Sequence, residues 1–198
     1  MAGKQDIQDA EYWSSRSRTY EQSWAQRVFH DRIHRAVLDL VASQGTPEVL
    51  VDVGCGTGRL LRKAAARWPT AKRIGVDAAA GMIAIARQMT PGAIFYQGAA
   101  ESLPLPDASA DVVVSTISFH HWPDQAQGVR EVARVLRPGG HFLLADVVPP
   151  FGLGLFSRHA RSNSGKKFRE LFSRAGLQVR GQHPRLGGWV LVTVGERR

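Results

Sequence analysis

Three closely spaced glycines, Gly54, Gly56 and Gly58, directly follow a short apolar run and are the most informative residues of the chain. Glycine permits a tight turn and a close approach of the backbone to a ligand. A nicotinamide-binding fingerprint needs a further glycine at position 59, where this chain has Arg59. A phosphate-cradling P-loop needs a Gly-Lys-Ser/Thr run, and none follows. The loop therefore predicts a ligand that is neither a dinucleotide nor a nucleotide held by a P-loop.

Two acidic residues belong to the same pattern. Asp52 precedes the glycines, and Asp77 ends the next apolar run, 25 residues further on. A carboxylate at position 52 repels a phosphate but favours the cationic amino group of an amino-acid-like ligand. Asp77 can accept hydrogen bonds from ribose hydroxyl groups, although it can also serve as a helix N-cap. The pair indicates a nucleoside joined to an amino acid, and S-adenosylmethionine (SAM) fits that description.

The elements that position these residues alternate between strands and helices. Such an order predicts an α/β fold with a doubly wound, mostly parallel sheet of about seven strands. The last two strands are joined by too few residues for a helical crossover, which predicts an antiparallel C-terminal pair. Predicted strands cover residues 49–53, 73–77, 93–97, 111–116, 141–146, 177–182 and 189–194, and predicted helices cover residues 8–43, 60–68, 81–89, 124–136 and 166–175.

Length and composition suit one well-buried domain, since the chain has 198 residues of which 43% are hydrophobic. No apolar stretch reaches the roughly 18 residues that span a bilayer, and residues 1–9 carry no secretory signal. The single cysteine, Cys55, excludes an internal disulfide and a multi-thiolate metal site. We therefore expect a cytoplasmic protein without a membrane span and without a metal site.

The net charge of +9 is concentrated near the C-terminus, where residues 151–198 hold 10 Lys and Arg against 2 Asp and Glu. A basic block of this kind attracts acidic ligands, nucleic acid or anionic membranes. It lacks dense basic clusters with interleaved aromatic residues, which favours an ordinary solvated surface over a nucleic-acid site.

Five sequence runs together resemble the small class I SAM-dependent methyltransferases of the methyltransferase type 11 group, which are related to enzymes of ubiquinone and menaquinone biosynthesis. The resemblance extends from Asp52 to Asp146, about half of the chain. The runs are Val-Asp-Val-Gly-Cys-Gly-Thr-Gly at 51–58, Gly-Val-Asp at 75–77 with Met82, Gly-Ala-Ala-Glu-Ser-Leu-Pro-Leu-Pro at 98–106, Asp-Val-Val-Val-Ser at 111–115 and Glu-Val-Ala-Arg-Val-Leu-Arg-Pro-Gly-Gly at 131–140.

This resemblance implies a Rossmann-like methyltransferase domain over residues 1–198. Residues 1–45 would cover the cofactor, residues 46–146 would form the SAM-binding core, and residues 147–198 would supply a short lid, the last helix and the closing strand pair. The implied cofactor residues are Asp52, Gly54, Cys55, Gly56 and Gly58 at the methionine part, Asp77, Ala78 and Met82 at the ribose and adenine, Ala100 and Glu101 at the adenine edge, Ser115 and Thr116 below the sulfonium, and Tyr20, with Trp13, in the covering segment.

One position departs from the family pattern. Ala99 stands where relatives often carry an Asp that accepts from the adenine amino group. A backbone carbonyl or a water can replace that acceptor; otherwise SAM affinity falls by about 1 kcal/mol, the usual scale of one hydrogen bond.

His120 and His121 follow the fourth predicted strand, on the acceptor side of the cleft in the resembling family. An imidazole there can take a proton from a hydroxyl acceptor, and the sequence does not separate the two histidines. The alternative is that both only orient their loop. Asp146, at the end of the fifth predicted strand, can orient an acceptor or cap the following turn, and Tyr20 can form a wall of the acceptor pocket.

Residues 147–164 occupy the place where the family inserts a substrate-covering element. Phe151, Leu153, Leu155 and Phe156 suit an apolar lid, and Arg158, His159 and Arg161 suit an anionic acceptor. A mobile loop with a basic tip is the alternative.

The predicted reaction is transfer of a methyl group from SAM to a small-molecule acceptor by in-line displacement, with S-adenosylhomocysteine (SAH) as product. Residues 115–118, Ser-Thr-Ile-Ser, lack the Asn/Asp-Pro-Pro-aromatic run of enzymes that methylate amino groups of DNA bases. The alternatives are an RNA or protein methyltransferase that uses the basic C-terminal region, and a SAM-binding accessory protein without turnover.

Overall fold

A computed structural model describes residues 11–15, 24–148 and 163–198 of the chain. Tyr20 and most of the predicted lid, including Phe151 and Arg158, lie outside the described residues. Residues 11–15 are helical, and the elements after them run from α1 to β7. They are α1 (Trp24–Gln44), β1 (Val49–Val53), α2 (Arg59–Arg67), β2 (Lys72–Asp77), α3 (Ala80–Met89), β3 (Ile94–Gln97), β4 (Ala110–Thr116), α4 (Gln125–Val135), β5 (Leu136–Val147), α5 (Gly165–Arg174), β6 (Leu177–Arg185) and β7 (Val190–Arg197), with short 3-10 turns at Phe119–His121 and Leu186–Gly188.

The seven strands form one sheet in the order β3-β2-β1-β4-β5-β7-β6. The first five strands in this order are mutually parallel. β7 is antiparallel to both of its neighbours, β5 and β6. The predicted α/β class, the number of strands and the antiparallel C-terminal pair are thus confirmed. The sequence did not predict that β7 inserts between β5 and β6.

The sheet has a core on each face because successive side chains of a strand point to opposite sides. Leu50 of β1 packs in the cluster that includes Val37 of α1 and Leu61 of α2. Its neighbour Val51 packs in the other cluster, with Val129 of α4 and Phe172 of α5. Continuous apolar runs are typical of parallel strands that are covered by helices on both faces.

The strand order reverses between β1 and β4, which pair from Leu50↔Val112 to Asp52↔Val114. Open α/β sheets bind their ligands at such a switch point, beyond the carboxyl ends of the strands. The glycine loop follows β1 there, and Ile117 follows β4 in a left-handed conformation, with a φ of 52°. No helix within the described ranges is long and apolar enough to cross a membrane.

Candidate active site

A cavity of about 1250 Å³ opens at this edge of the sheet, bounded by the loops after β1, β2, β3 and β4 and by residues of α1 and the N-terminal segment. It brings together most of the residues that the sequence predicted for the site. Those on its wall are Asp52, Gly54, Cys55, Gly56, Asp77, Ala78, Met82, Ala100, Glu101, Thr116, His120 and His121.

Of the predicted cofactor residues that the structure describes, Gly58 and Ser115 do not lie on the cavity wall. A Cβ atom at Gly58 would lie 2.8 Å from Oγ1 of Thr90 and 3.0 Å from the ring of Phe95, so this position faces packed side chains. Ser115 is fully buried, and its Oγ lies 2.9 Å from Oγ of Ser118. Both residues therefore support the loops around the cavity from behind.

Gly54 is held by close packing against the loop that follows β4. A Cβ atom at Gly54 would lie only 2.1 Å from Oγ of Ser118. The Ser118 hydroxyl also donates a hydrogen bond of 3.1 Å to the carbonyl oxygen of Val53. Gly56 differs, because its φ is +52° and, apart from its chain neighbours, no heavy atom of the described residues lies within 4 Å of a Cβ built there. Gly56 thus leaves open space in the loop, and this space can receive a ligand.

Asp77 connects the ends of β1 and β2 through hydrogen bonds to backbone amides. Its Oδ2 accepts from the N–H of Gly56 at 2.8 Å, and its Oδ1 accepts from the N–H of Ala79 at 2.9 Å. Burial raises the pKa of Asp77, and these two hydrogen bonds oppose the rise. Helix α3 begins only at Ala80, with Ala79 as its N-cap residue, so Asp77 is not the N-cap. Each carboxylate oxygen keeps further acceptor capacity, which suits a ribose hydroxyl.

Asp52 is almost completely buried, with 1% of its surface exposed. Burial, together with the negative charge of Asp77, raises the pKa of Asp52 to about 8. Its Oδ1 has no hydrogen-bond partner among the described residues. A buried acceptor without a partner is costly, so a donor from a ligand fits this place. The ammonium group of an amino acid supplies such a donor and a compensating charge.

His120 and Asp146 form a hydrogen-bonded pair at the ends of β4 and β5. The Nδ1 atom of His120 lies 2.8 Å from Oδ1 of Asp146, which is fully buried. Asp146 also accepts from the backbone N–H of His120 at 3.1 Å and from that of Val147 at 2.6 Å. A carboxylate at Nδ1 fixes the tautomer in which Nε2 is the acceptor. The geometry thus separates His120 from His121, whose ring packs edge-on to Trp13 at a centroid distance of 5.4 Å.

The N-terminal segment covers part of the cavity. Trp13 and Ser14 lie on its wall, and the Ser14 hydroxyl accepts a hydrogen bond of 3.2 Å from the N–H of Gly81. The role in covering the cofactor that the resemblance implied for Trp13 stays a prediction. Glu101, also on the wall, accepts from the backbone N–H of Asp124 at 3.1 Å and so holds the loop before α4.

The wall also carries residues that were not among the predicted site residues, and the ionisable ones include His30, His34 and Arg59. The two histidines are four residues apart on α1, so they share one face of the helix, and their ring centroids lie 5.8 Å apart. Burial is the main cause that lowers the pKa of His30 to about 4 and that of His34 to about 3. The i, i+4 spacing was the available sequence signal. Arg59 entered the sequence argument only as the residue that replaces a third glycine.

Comparison with known proteins relates the chain to methyltransferases. Residues 51–144 match the family model described as a methyltransferase domain. The chain is 38% identical over 110 residues to a demethylmenaquinone methyltransferase of Chlorobaculum parvum, a match that covers 55% of this chain and 45% of the relative. It is 34% identical over 155 residues to a demethylmenaquinone methyltransferase of Deinococcus radiodurans, covering 76% of this chain and 62% of the relative. The chain thus spans less than two thirds of the length of these relatives.

The fold has counterparts among solved structures. A chain from the complex between the Trm112 methyltransferase activator of Haloferax volcanii and a methyltransferase superposes with a TM-score of 0.76. The sequence identity is 24%, and the match covers 93% of this chain and 94% of the other. At this identity the likeness establishes the fold.

Proposed function

We propose that this chain, whose residues 51–144 form a methyltransferase domain, transfers a methyl group from SAM to a small-molecule acceptor by in-line displacement. The observation that carries the proposal is the meeting of three features at one cavity. They are the partnerless carboxylate oxygen of Asp52, the open turn at Gly56 and the carboxylate of Asp77.

The residues present fit SAM in its separate parts. Asp52 would receive the ammonium group, Gly56 would allow the methionine part to approach the backbone, and Asp77 would hold the ribose. Ala78 and Met82 would lie beside the adenine, and Thr116 would lie near the sulfonium. SAM, when bound, supplies an activated methyl group, so the protein mainly needs to align the acceptor and exclude water.

His120 is the candidate general base for an acceptor that must lose a proton. Asp146 holds Nδ1 of His120 at 2.8 Å, and the imidazole lies on the cavity wall. In this arrangement Nε2 accepts the proton, while Asp146 stabilises the imidazolium that forms. His121 would shape the acceptor side together with Trp13.

The size of the cavity supports a small acceptor. Small-molecule sites usually enclose about 300 to 1000 Å³. The cavity of about 1250 Å³ therefore has room for an acceptor beside the cofactor. Arg158, His159 and Arg161 remain candidate contacts of an anionic acceptor, but they lie outside the described residues. A cytoplasmic location also remains a prediction.

The C-terminal basic region gives less support to an RNA or protein substrate. Arg174 pairs with Glu170 at 2.5 Å, and Arg180 pairs with Glu196 at 2.6 Å, so part of its charge is compensated within the surface. An accessory protein without turnover is also less favoured, because the relatives are named as methyltransferases.

Titration calorimetry with SAM and SAH tests the cofactor, and incubation with tritiated-methyl SAM tests the acceptor. We expect both nucleosides to bind and label to enter a component of a small-metabolite pool. Absence of SAM binding would overturn the proposal. Label that enters protein, or label that enters RNA and is lost at higher salt, would instead establish the alternative of a protein or RNA substrate.

A further inference from the structure

The positive charge of the C-terminal region is compensated at some places and not at others. Residues 163–198 contain two acidic residues, Glu170 and Glu196. Glu170 pairs with Arg174 at 2.5 Å. Glu196 pairs with Arg180 at 2.6 Å. Both acidic side chains are thus engaged by arginines, and the excess positive charge of the segment lies elsewhere.

The last residue of β6 and the start of α5 lie at the same edge of the sheet as the cavity. Arg185 is in register with Val190 of β7, which also pairs with Val147 at the end of β5. The start of α5 is held at this edge by Gln182 of β6, whose Nε2 donates to the carbonyl oxygen of Gly165 at 2.9 Å. The topology therefore brings basic residues of two elements to the carboxyl edge of the sheet. We call the following four residues the basic rim: Lys166, Lys167, Arg169 and Arg185.

The basic rim is accessible to solvent. Lys166 and Arg169 are exposed, and Lys167 and Arg185 are half-buried. Arg169 donates to the neutral amide oxygen of Gln182, and Arg185 donates to the carbonyl oxygen of the preceding residue at 2.8 Å. Because these acceptors are neutral, both arginines keep their full positive charge at the surface.

The turn between β6 and β7 adds apolar surface beside the basic rim. Leu186 and Trp189 of this turn are half-buried, so part of each side chain faces solvent. The backbone N–H of Val148 donates to the carbonyl oxygen of Trp189 at 2.9 Å, which ties the turn to the end of β5. Tryptophan and basic residues together are typical of protein surfaces that enter the headgroup region of a bilayer.

The arrangement of these charges favours a broad anionic surface over a small anion. None of the four residues of the basic rim lies on the wall of the cofactor cavity. The charges are instead spread along one edge of the sheet, over α5 and β6. A site for single-stranded RNA combines such charges with several aromatic side chains on which bases stack, whereas this turn offers one, Trp189.

We propose that the basic rim, together with Leu186 and Trp189, docks this protein on an anionic membrane surface. Lipid phosphates complement the charge of the basic rim, and the apolar side chains of the turn enter the headgroup region. The carboxyl edge of the sheet then faces the lipid with β6 nearest to it. Glu101 follows β3, the strand at the opposite end of the sheet, so its negative charge stays away from the lipid phosphates. This docking does not depend on methyl transfer.

Sedimentation of the full chain with lipid vesicles tests the inference. The vesicles consist of phosphatidylcholine alone or of an equal mixture of phosphatidylcholine and phosphatidylglycerol. The rim variant combines Lys166→Gln, Arg169→Gln and Arg185→Gln. The control variant combines Arg174→Gln, Arg180→Gln and Arg198→Gln. Both variants lose the same amount of positive charge, so they differ only in its position.

A Lys or Arg close to an anionic membrane strengthens binding by about fivefold. We therefore expect the rim variant to bind the mixed vesicles roughly 100-fold more weakly than the wild type. The control variant should lose less than about threefold, because charges beyond a Debye length from the lipid are screened. Wild-type protein should bind phosphatidylcholine vesicles far more weakly than mixed vesicles, and added salt should release it from the latter.

Three outcomes would overturn the proposal. They are absence of wild-type binding to the mixed vesicles, equal losses in the rim and control variants, and tighter binding of a single-stranded RNA oligomer that the rim variant abolishes. The last outcome would assign the basic rim to nucleic acid instead.

Folding and cofactor binding are checked separately from docking. Circular dichroism and SAM affinity should match the wild type in both variants, since the substituted residues do not line the cofactor cavity. If the rim variant does not fold, Lys166→Gln alone, at an exposed position of α5, should still lose about fivefold in vesicle binding. A wild-type protein that binds vesicles but not SAM would refute the proposed function and leave the docking surface in place.

Discussion

The backbone N–H of Gly56 donates a hydrogen bond of 2.8 Å to Oδ2 of Asp77, so a carboxylate at the end of β2 fixes the shape of the loop that follows β1. The second oxygen of the same carboxylate accepts from Ala79 and fixes the turn into α3. Asp77 therefore shapes the loop in addition to the ribose contact that we propose. Two measurements on one variant, ligand affinity and the free energy of unfolding, report on the two effects.

For Asp77→Ala we expect a loss of SAM affinity of more than about tenfold, because both the ribose acceptor and the support of Gly56 are removed. The free energy of unfolding of the ligand-free protein should also fall by about 1 to 3 kcal/mol, the cost of leaving buried amides without acceptors. Calorimetry and urea unfolding measure the two effects. Asp39→Asn, at an exposed carboxylate paired with Arg67, is the control. Wild-type SAM affinity in Asp77→Ala would refute the ribose role.

The protonation of Asp52 predicts a pH dependence of stability. Its pKa is raised from 3.8 to about 8, because burial and the charge of Asp77 disfavour the carboxylate. Between pH 3.8 and about 8 the folded protein therefore holds a proton on Asp52 that the unfolded chain has lost. The contribution of Asp52 to stability without ligand should fall as the pH rises through this window, by at most about 1.4 kcal/mol per pH unit. Urea unfolding at several pH values measures the slope, which Asp52→Asn should reduce.

Ligand binding should reverse this protonation. An ammonium group beside Asp52 favours the carboxylate form, so SAM binding at neutral pH should release up to one proton. Calorimetry in buffers of different ionisation enthalpy counts the proton, and Asp52→Asn should abolish the release. An identical proton count in the wild type and in Asp52→Asn would show that the ammonium group does not meet Asp52.

Substitutions in the His120–Asp146 pair should lower the turnover rate without changing SAM affinity. We expect His120→Ala to lower kcat by roughly 100- to 10000-fold once an acceptor is known, the range for the loss of a general base. Asp146→Asn should lower kcat as well, because an amide at Nδ1 favours the wrong tautomer. His121→Gln is the comparison variant and should change kcat less. SAM affinity should stay near the wild-type value in all three.

The pH profile of kcat distinguishes a base from a merely structural histidine. With a base, the acidic limb of the profile should shift or vanish in His120→Ala. A variant that keeps the wild-type rate and profile would show that the acceptor needs no base from this pair.

A substitution at Ala99 is expected to increase SAM affinity, in contrast to the loss expected for Asp77→Ala. It lies on the cavity wall and is exposed, so an Asp side chain can be accommodated there without displacing core residues. We expect Ala99→Asp to tighten SAM binding by about fivefold, or about 1 kcal/mol, through one hydrogen bond to the adenine amino group. Ala99→Asn should gain less, since its acceptor is uncharged. Unchanged or weaker binding in calorimetry would contradict this contact.

The sequence predicted the parallel part of the fold well because its signals are local. The Val-rich runs of β1 and β4 and the glycine turn after β1 each specify a conformation within a few residues. The position of β7 between β5 and β6 depends on long-range pairing. In the structure Val190, Val192 and Val194 of β7 are buried, whereas most residues of β6 are partly exposed, as expected for a central strand beside an edge strand.

The sequence predicted the site residues that belong to local motifs at the strand ends. It missed residues that reach the cavity only through the packing of helices. Asp52, Gly56 and Asp77 lie at the ends of the neighbouring strands β1 and β2, so their spacing in the sequence indicates that they share a site. His34 reaches the cavity only because α1 packs on the sheet next to α2, and pattern alone does not fix that docking. Gly58 was assigned to the ligand, yet its close neighbours are Thr90 and Phe95. A glycine in such a loop can serve packing as well as binding.

The contact between Gly54 and Ser118 restricts how the acceptor specificity of this chain can be changed. Ser118 fills the space that a Cβ at Gly54 would occupy. The loop after β1 (the donor loop) and the loop after β4 (the acceptor loop) are therefore packed against each other as one unit. An acceptor loop transplanted from a relative will keep SAM bound only if it brings a residue no larger than serine to position 118. Chimeras that exchange both loops together should retain the cofactor more often than chimeras that exchange one.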